Sequence, residues 1–215
     1  MSTQLLVLAK APVPGRVKTR LCPPCTPRQA AEVAAGALVD TLRCGQHTAA
    51  ARRTIVLSGR YAPPAGWYTV AQQGDDLGER IARGFADTAL PGITSLLIGV
   101  DTPQVTPALL GSVYAGLSTA DAVLGPAEDG GWWALALRDP YQAWALRDVP
   151  MSTPDTGDRT AAALRGRGLR VRFAATLRDV DTAADAQQVA AQCRPGAFAD
   201  AVRAHLPLTV AAADW

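Results

Sequence analysis

The sequence predicts an α/β domain with a largely parallel sheet and helices on both of its faces. Short, continuously apolar runs such as Leu5–Ala9 and Leu96–Val100 have the length of buried strands. Between them lie longer segments whose apolar residues recur every three or four positions, as on amphipathic helices. No internal repeat or low-complexity linker divides the 215 residues, so a single domain is expected over residues 1–215, with a short tail from about residue 206.

The elements follow in order. Leu5–Ala9 reads as the first strand, and the proline- and glycine-rich stretch from Lys10 to Pro24 cannot be regular over most of its length. Thr26 then caps a helix with Pro27 at its first position, and Ala31, Ala34, Ala35, Leu38 and Leu42 form its buried stripe. Thr54–Ser58 and Tyr68–Ala71 are the next strands. Asp76 with Glu79 resembles a capping box, opening a helix with Leu77, Ile81 and Phe85 inward. Leu96–Val100 is a strand ending on Asp101, and Thr106-Pro107 opens a helix to about Leu117. Ala122–Leu124 and Trp132–Leu137 are strand-like, followed by a helix from about Thr153 to Leu164 and a strand at Leu169–Phe173. Helices over Ala183–Ala191 and Phe198–His205 complete the body.

With 48% hydrophobic and 19% charged residues, the composition provides for a sizeable core. A net charge of only +2 gives no electrostatic footprint for nucleic acid or an anionic membrane. No apolar run approaches the roughly 18–20 residues of a membrane span, and Lys10 interrupts the first run before a leader-like length, which predicts a cytoplasmic protein. Cys22 and Cys25 form a CxxC, but neither His47 nor His205 stands at a zinc-ligand spacing, so the pair reads as a turn with two incidental thiols.

Ligands of open α/β sheets bind beyond the carboxyl ends of the strands. The loop after the first strand carries Lys10, Arg16, Lys18 and Arg20 around Pro12, Pro14 and Gly15, which suits a phosphate-bearing ligand or, more blandly, a solvated basic loop. It contains neither a dinucleotide-binding glycine motif nor a P-loop. Asp101 emerges at a strand tip in Gly99-Val100-Asp101-Thr102-Pro103, where one carboxylate could serve Mg²⁺. With Thr106 available as helix cap, Asp101 is not needed for that duty. Glu128-Asp129-Gly130-Gly131 joins two strand-like segments: the glycines permit close backbone approach to a ligand, and Asp129 could bind sugar hydroxyls. The adjacent Trp132 and Trp133 suit a core or interface better than a stacking platform. In Asp179-Val180-Asp181-Thr182, Asp181-Thr182 reads either as an N-cap or as a second metal carboxylate.

Taken together, LAKAPVPGRVKTRL, Gln72–Phe85, GVDTP, PAEDGGWWALAL and DVDTAADA, spanning Leu8 to Ala186, resemble the bacterial GT-A-like family labelled DUF2064, provisionally described as glycosyltransferases. MobA- and CofC-type nucleotidyltransferases are more distantly similar. The resemblance implies a single-domain GT-A-like, nucleotide-diphospho-sugar transferase fold with Mg²⁺ or Mn²⁺ bridging donor phosphates to Asp101. It implies Asp181 as second metal carboxylate and Lys10, Lys18 and Arg20 as phosphate ligands. Ala183 stands where the late motif usually has Pro, and Met151 where the family often has Trp.

The leading expectation is a metal-dependent glycosyltransferase using a nucleotide-diphosphate sugar and an unidentified small-molecule acceptor. The metal and basic loop would stabilise the leaving diphosphate, with Asp129 or Glu128 orienting sugar or acceptor and one of them available as base. Asp101 and Asp129 are the candidate catalytic residues. Lys10, Gly15, Lys18, Arg20, Asp129, Gly130 and Gly131 are the candidate ligand-binding set. A nucleotidylyltransferase releasing pyrophosphate is the alternative, and a non-catalytic nucleotide-binding protein a third reading.

Overall fold

A computed structural model describes residues 2–206. The apolar runs form a sheet of seven strands among these residues: β1 (Thr3–Lys10), β2 (Arg52–Ser58), β3 (Tyr68–Ala71), β4 (Thr94–Ile98), β5 (Ala122–Pro126), β6 (Trp132–Leu137) and β7 (Val171–Phe173). Their spatial order is β3-β2-β1-β4-β6-β5-β7. All pairings are parallel except those of β6, which runs antiparallel to β4 and β5. Only residues 127–131 join β5 to β6, too few for the crossover that a parallel neighbour requires.

Side chains alternate across a strand, so each of the five inner strands feeds two cores. Leu5, Val7, Ile55, Leu57, Leu96 and Ile98 face α1 (Pro27–Gln46) and α3 (Pro107–Gly116), meeting Leu38, Leu42, Leu110 and Val113. On the other face Leu6, Val56, Leu97, Leu124 and Leu135 meet Ile81 and Phe85 of α2 (Leu77–Asp87) and Leu164 of α4 (Thr156–Gly166). Leu146, from a 3-10 stretch over Pro140–Asp148, joins this core. That stretch has no helical periodicity to announce it in the sequence.

A third core lies on the far side of α1, where Ala30, Val33 and Ala37 pack with α5 (Ala183–Gln192) and α6 (Ala197–His205). It also takes in Leu21 from the first loop and Val180 from the late acidic segment. Cys25 is buried there with Cys22 against it. Trp133 belongs to the first core, its Nε1 donating to the Ala175 carbonyl at 2.9 Å.

Local capping fixes most helix starts. Thr26 and Thr182 make full capping boxes, and Thr106 accepts from Leu109 N at 3.2 Å. Asp76 accepts from Glu79 N at 2.8 Å, but Glu79 reaches past it to Asp75 N at 3.0 Å. The helix expected from Thr153 starts at Thr156, because Thr153 is spent in a turn, its N–H donating to Thr156 Oγ1 at 3.0 Å. Beyond Leu206, the expected tail lies outside the described residues.

Candidate functional site

The first loop leaves β1 at Lys10 and turns at Gly15, whose φ of 75° is in the left-handed region. A short 3-10 turn, Thr19–Leu21, then seats Leu21 in the third core. Immediately before that turn Lys18 stands at φ 48°, a conformation that costs a side-chain-bearing residue about 1 kcal/mol or more. The result is to aim its ammonium inward. Lys18 Nζ lies 2.5 Å from Asp101 Oδ1 and donates to the Val180 carbonyl. Val180 N in turn donates to the Asp101 carbonyl at 2.8 Å. Arg20 Nη1 reaches Asp181 Oδ2 at 2.7 Å. The loop after β1, the tip following β4 and the late acidic segment are thus fastened together.

A cleft of about 540 Å³ opens beside this junction at the carboxyl ends of β1 and β4, within the usual range for small-ligand sites. Lys10, Arg16, Lys18 and Arg20 line it, with Asp101 and Asp181. Gly15 is not part of the lining; it supplies the turn. Two further side chains, which the sequence does not single out, reach the cleft. Arg80 projects from the first turn of α2, steered by the Gly74 and Asp75 carbonyls at 2.9 and 3.3 Å. Gln72 lines the cleft too, with Nε2 donating to the Ala9 and Val56 carbonyls at 2.9 and 3.0 Å. Both lie within the Gln72–Phe85 segment, but their cleft position depends on how that segment folds over β1 and β2.

Asp129 belongs to the tight β5–β6 loop. Its Oδ1 accepts from Gly131 N at 2.7 Å. Gly130 has φ 88°, and a Cβ there would come within 1.8 Å of the Pro154 carbonyl oxygen, so only glycine fits. Gly157 N donates to the Gly130 carbonyl at 2.8 Å, tying the loop to the start of α4. Glu128 turns away to Arg178, 2.6 Å from its Nη2.

Carboxylate oxygens of Asp129, Asp179 and Asp181 lie within 4.8 Å of one another. Burial, together with the charges of Asp129, Asp181 and Asp101, pushes the Asp179 carboxyl up to about 6. Hard oxygen donors this crowded suit Mg²⁺ or Mn²⁺, whose charge would offset their repulsion. The Asp181 expected as a ligand is in this group; the Asp101 expected beside it is paired with Lys18 instead. Asp129 joins Asp181 there, whereas its sequence context points to sugar hydroxyls. Asp179 has no role in the sequence-based expectation. Its signal is the alternation Asp179-Val180-Asp181, which turns both acids to one side of an extended segment and buries Val180 on the other.

A protein of Desulfovibrio desulfuricans G20, provisionally named a nucleotide-diphospho-sugar transferase, is 28% identical, with a TM-score of 0.75 over 86% of this chain and 85% of that one. A Mycobacterium tuberculosis H37Rv protein solved as a manganese complex is 20% identical, with a TM-score of 0.55 over 88% and 98%. The 2-C-methyl-D-erythritol 4-phosphate cytidylyltransferase of Thermus thermophilus is 17% identical, with a TM-score of 0.52 over 81% and 89%. The last two establish likeness of fold alone. No curated protein matches significantly. A family model does match, over residues 30–153, taking in the cleft's Gln72, Arg80 and Asp101 and the Asp129 loop; the chain belongs to DUF2064, described as uncharacterised proteins conserved in bacteria.

Proposed function

We propose that this transferase moves a sugar from a nucleotide-diphosphate donor to a small-molecule acceptor with the help of a divalent cation. One observation carries the reading: a cationic loop lines a cleft at the ligand-binding end of the sheet together with Asp101 and Asp181, and Asp181 also belongs to a cluster of three carboxylates. Lys10, Arg16, Arg20 and Arg80 line it in positions to bind donor phosphates by charge-assisted hydrogen bonds. Asp129, Asp179 and Asp181 would hold the cation, Mg²⁺ or Mn²⁺, with Asp101 beside them. Bound there, the ion would supply Lewis-acid stabilisation of the charge that develops on the leaving diphosphate. Asp129, fixed by Gly131 N, would also orient sugar or acceptor. The solved manganese complex of a structural neighbour and the sugar-transferase name of the 28% identical one support this reading.

Nucleotidyl transfer is the second reading, favoured by the number of cations on the cleft wall, which suit a triphosphate equally well. The product separates the two. Incubation with Mn²⁺, a panel of nucleotide sugars or nucleoside triphosphates, and mixed sugar and phosphate acceptors should release a nucleoside diphosphate. Pyrophosphate release would establish nucleotidyl transfer instead. Turnover undiminished by EDTA, or full turnover in Asp181→Asn, would remove the cation from the mechanism.

A further inference from the structure

Lys18 differs from the other cations of the first loop. Lys10, Arg16 and Arg20 are exposed, whereas the Lys18 side chain is only 10% exposed and its backbone is held left-handed to bring it inward. Its ammonium sits between Asp101 Oδ1, at 2.5 Å, and the carbonyl of Val180, the residue between Asp179 and Asp181. Asp101 thus pairs directly with this withdrawn charge, Asp179 and Asp181 flank the carbonyl it holds and cluster with Asp129, and exposed Arg20 pairs with Asp181. Carboxylates this close destabilise one another unless a cation offsets them.

We propose that Lys18 is the built-in counter-ion of this cluster. Before ligands arrive it holds Asp101 and the Asp179–Asp181 segment together; when donor and divalent cation bind, its ammonium leaves Asp101 for the donor's phosphates. The inference rests on the proposed cation site and assigns Lys18 a role with opposite signs in the two states. Without donor, the ammonium competes with the divalent cation for the same acidic environment. With donor, the same ammonium adds to phosphate binding. A lysine that served only to brace the loop would, on removal, weaken both.

Calorimetric titration decides between these. With Mn²⁺ alone, Lys18→Met should bind the ion about tenfold more tightly than the wild type, because a unit charge at short range has gone. With the manganese–pyrophosphate complex, the same variant should bind about tenfold more weakly. Lys18→Arg, which keeps the charge, should stay within about threefold of wild type in both titrations. Circular dichroism checks the fold, and if Lys18→Met does not fold, Lys18→Gln carries the same comparison. If the wild type binds no Mn²⁺, the cation site falls and the inference with it. If the wild type binds Mn²⁺ and the neutral variant binds it no more tightly, the counter-ion role alone is overturned.

Discussion

At the scale of single residues, Asp179 and Gly130 show how closely the site is drawn. Asp179 carries its charge half-buried among three other carboxylates, which the protein tolerates at the expense of stability. Asp179→Asn relieves that repulsion without changing shape. Its melting temperature in EDTA should rise by about 1–3 °C, while metal-dependent turnover falls on the order of a hundredfold. A lower melting temperature with intact turnover would make Asp179 a structural acid and not a site residue. Gly130→Ala acts by geometry: the strained φ and the Pro154 carbonyl together should cost about 2–4 kcal/mol, read from urea unfolding. The charged residues most legible in the sequence are those that follow a strand directly, since Lys10 and Asp101 need only the placement rule for open sheets. The inward turn of Lys18 is not legible, because its partners Asp101 and Val180 lie far away in the chain, and Asp179 and Arg80 leave only a local trace that does not announce the site they join.

Among the secondary elements, the same division holds between local and distant causes. Thr26, Asp76, Thr106 and Thr182 cap their own helices within three residues, so those helix starts can be read from sequence. Helix α6 begins on Gly196, which has no side chain to offer; Asp40 of α1 accepts from Ala197 N at 3.1 Å and Phe198 N at 2.8 Å in its stead. Asp40→Ala should therefore cost about 1–2 kcal/mol, as the loss of an ordinary cap does, and should show first as hydrogen exchange in α6. Protection in α6 unchanged from wild type would deny Asp40 that duty. At the far sheet edge Asp121 joins β5 to β7, taking Arg170 N at 3.0 Å and its guanidinium at 2.9 and 3.0 Å. The Arg170 hydrogen bonds hold the Asp121 carboxyl down at about 2, below its ordinary 3.8. A lowered value stabilises the fold above the ordinary pKa, and that stabilisation is lost as pH falls from about 4 to about 2. Asp121→Asn should flatten the urea midpoint over that window and leave its pH dependence above pH 5 unaltered. The antiparallel β6 is a different case: the brevity of residues 127–131 is visible in the sequence and already excludes a parallel crossover.

Across the whole molecule, the site is an assembly of distant segments on one end of a rigid sheet. The loop after β1, Arg80 of α2, the tip after β4, the β5–β6 loop and the Asp179–Asp181 segment converge on it. Leu21 and Val180 are buried together in the third core, so the cationic loop and the late acids share an anchor with α1, α5 and α6. Under the proposed function, cation and donor phosphates would lie beside one another, where each would offset repulsion that the other would meet alone. Asp129, Asp179 and Asp181 would hold the cation, which would screen their charge from the donor phosphates. Binding should therefore be coupled, and coupling appears as stability, since a ligand held only by the folded state adds RT ln(1 + [L]/Kd). At a hundredfold excess over Kd this is about 2.7 kcal/mol, or about 5–10 °C in melting temperature for a domain of this size. Mn²⁺ alone or a nucleoside diphosphate alone should shift the wild type by less than the pair, and the joint shift should exceed the sum of the two. In Asp181→Asn that excess should vanish while the shift with nucleotide alone persists through Lys10, Arg16 and Arg80. A joint shift that is merely additive in the wild type would mean that the acidic cluster and the basic loop serve separate ligands.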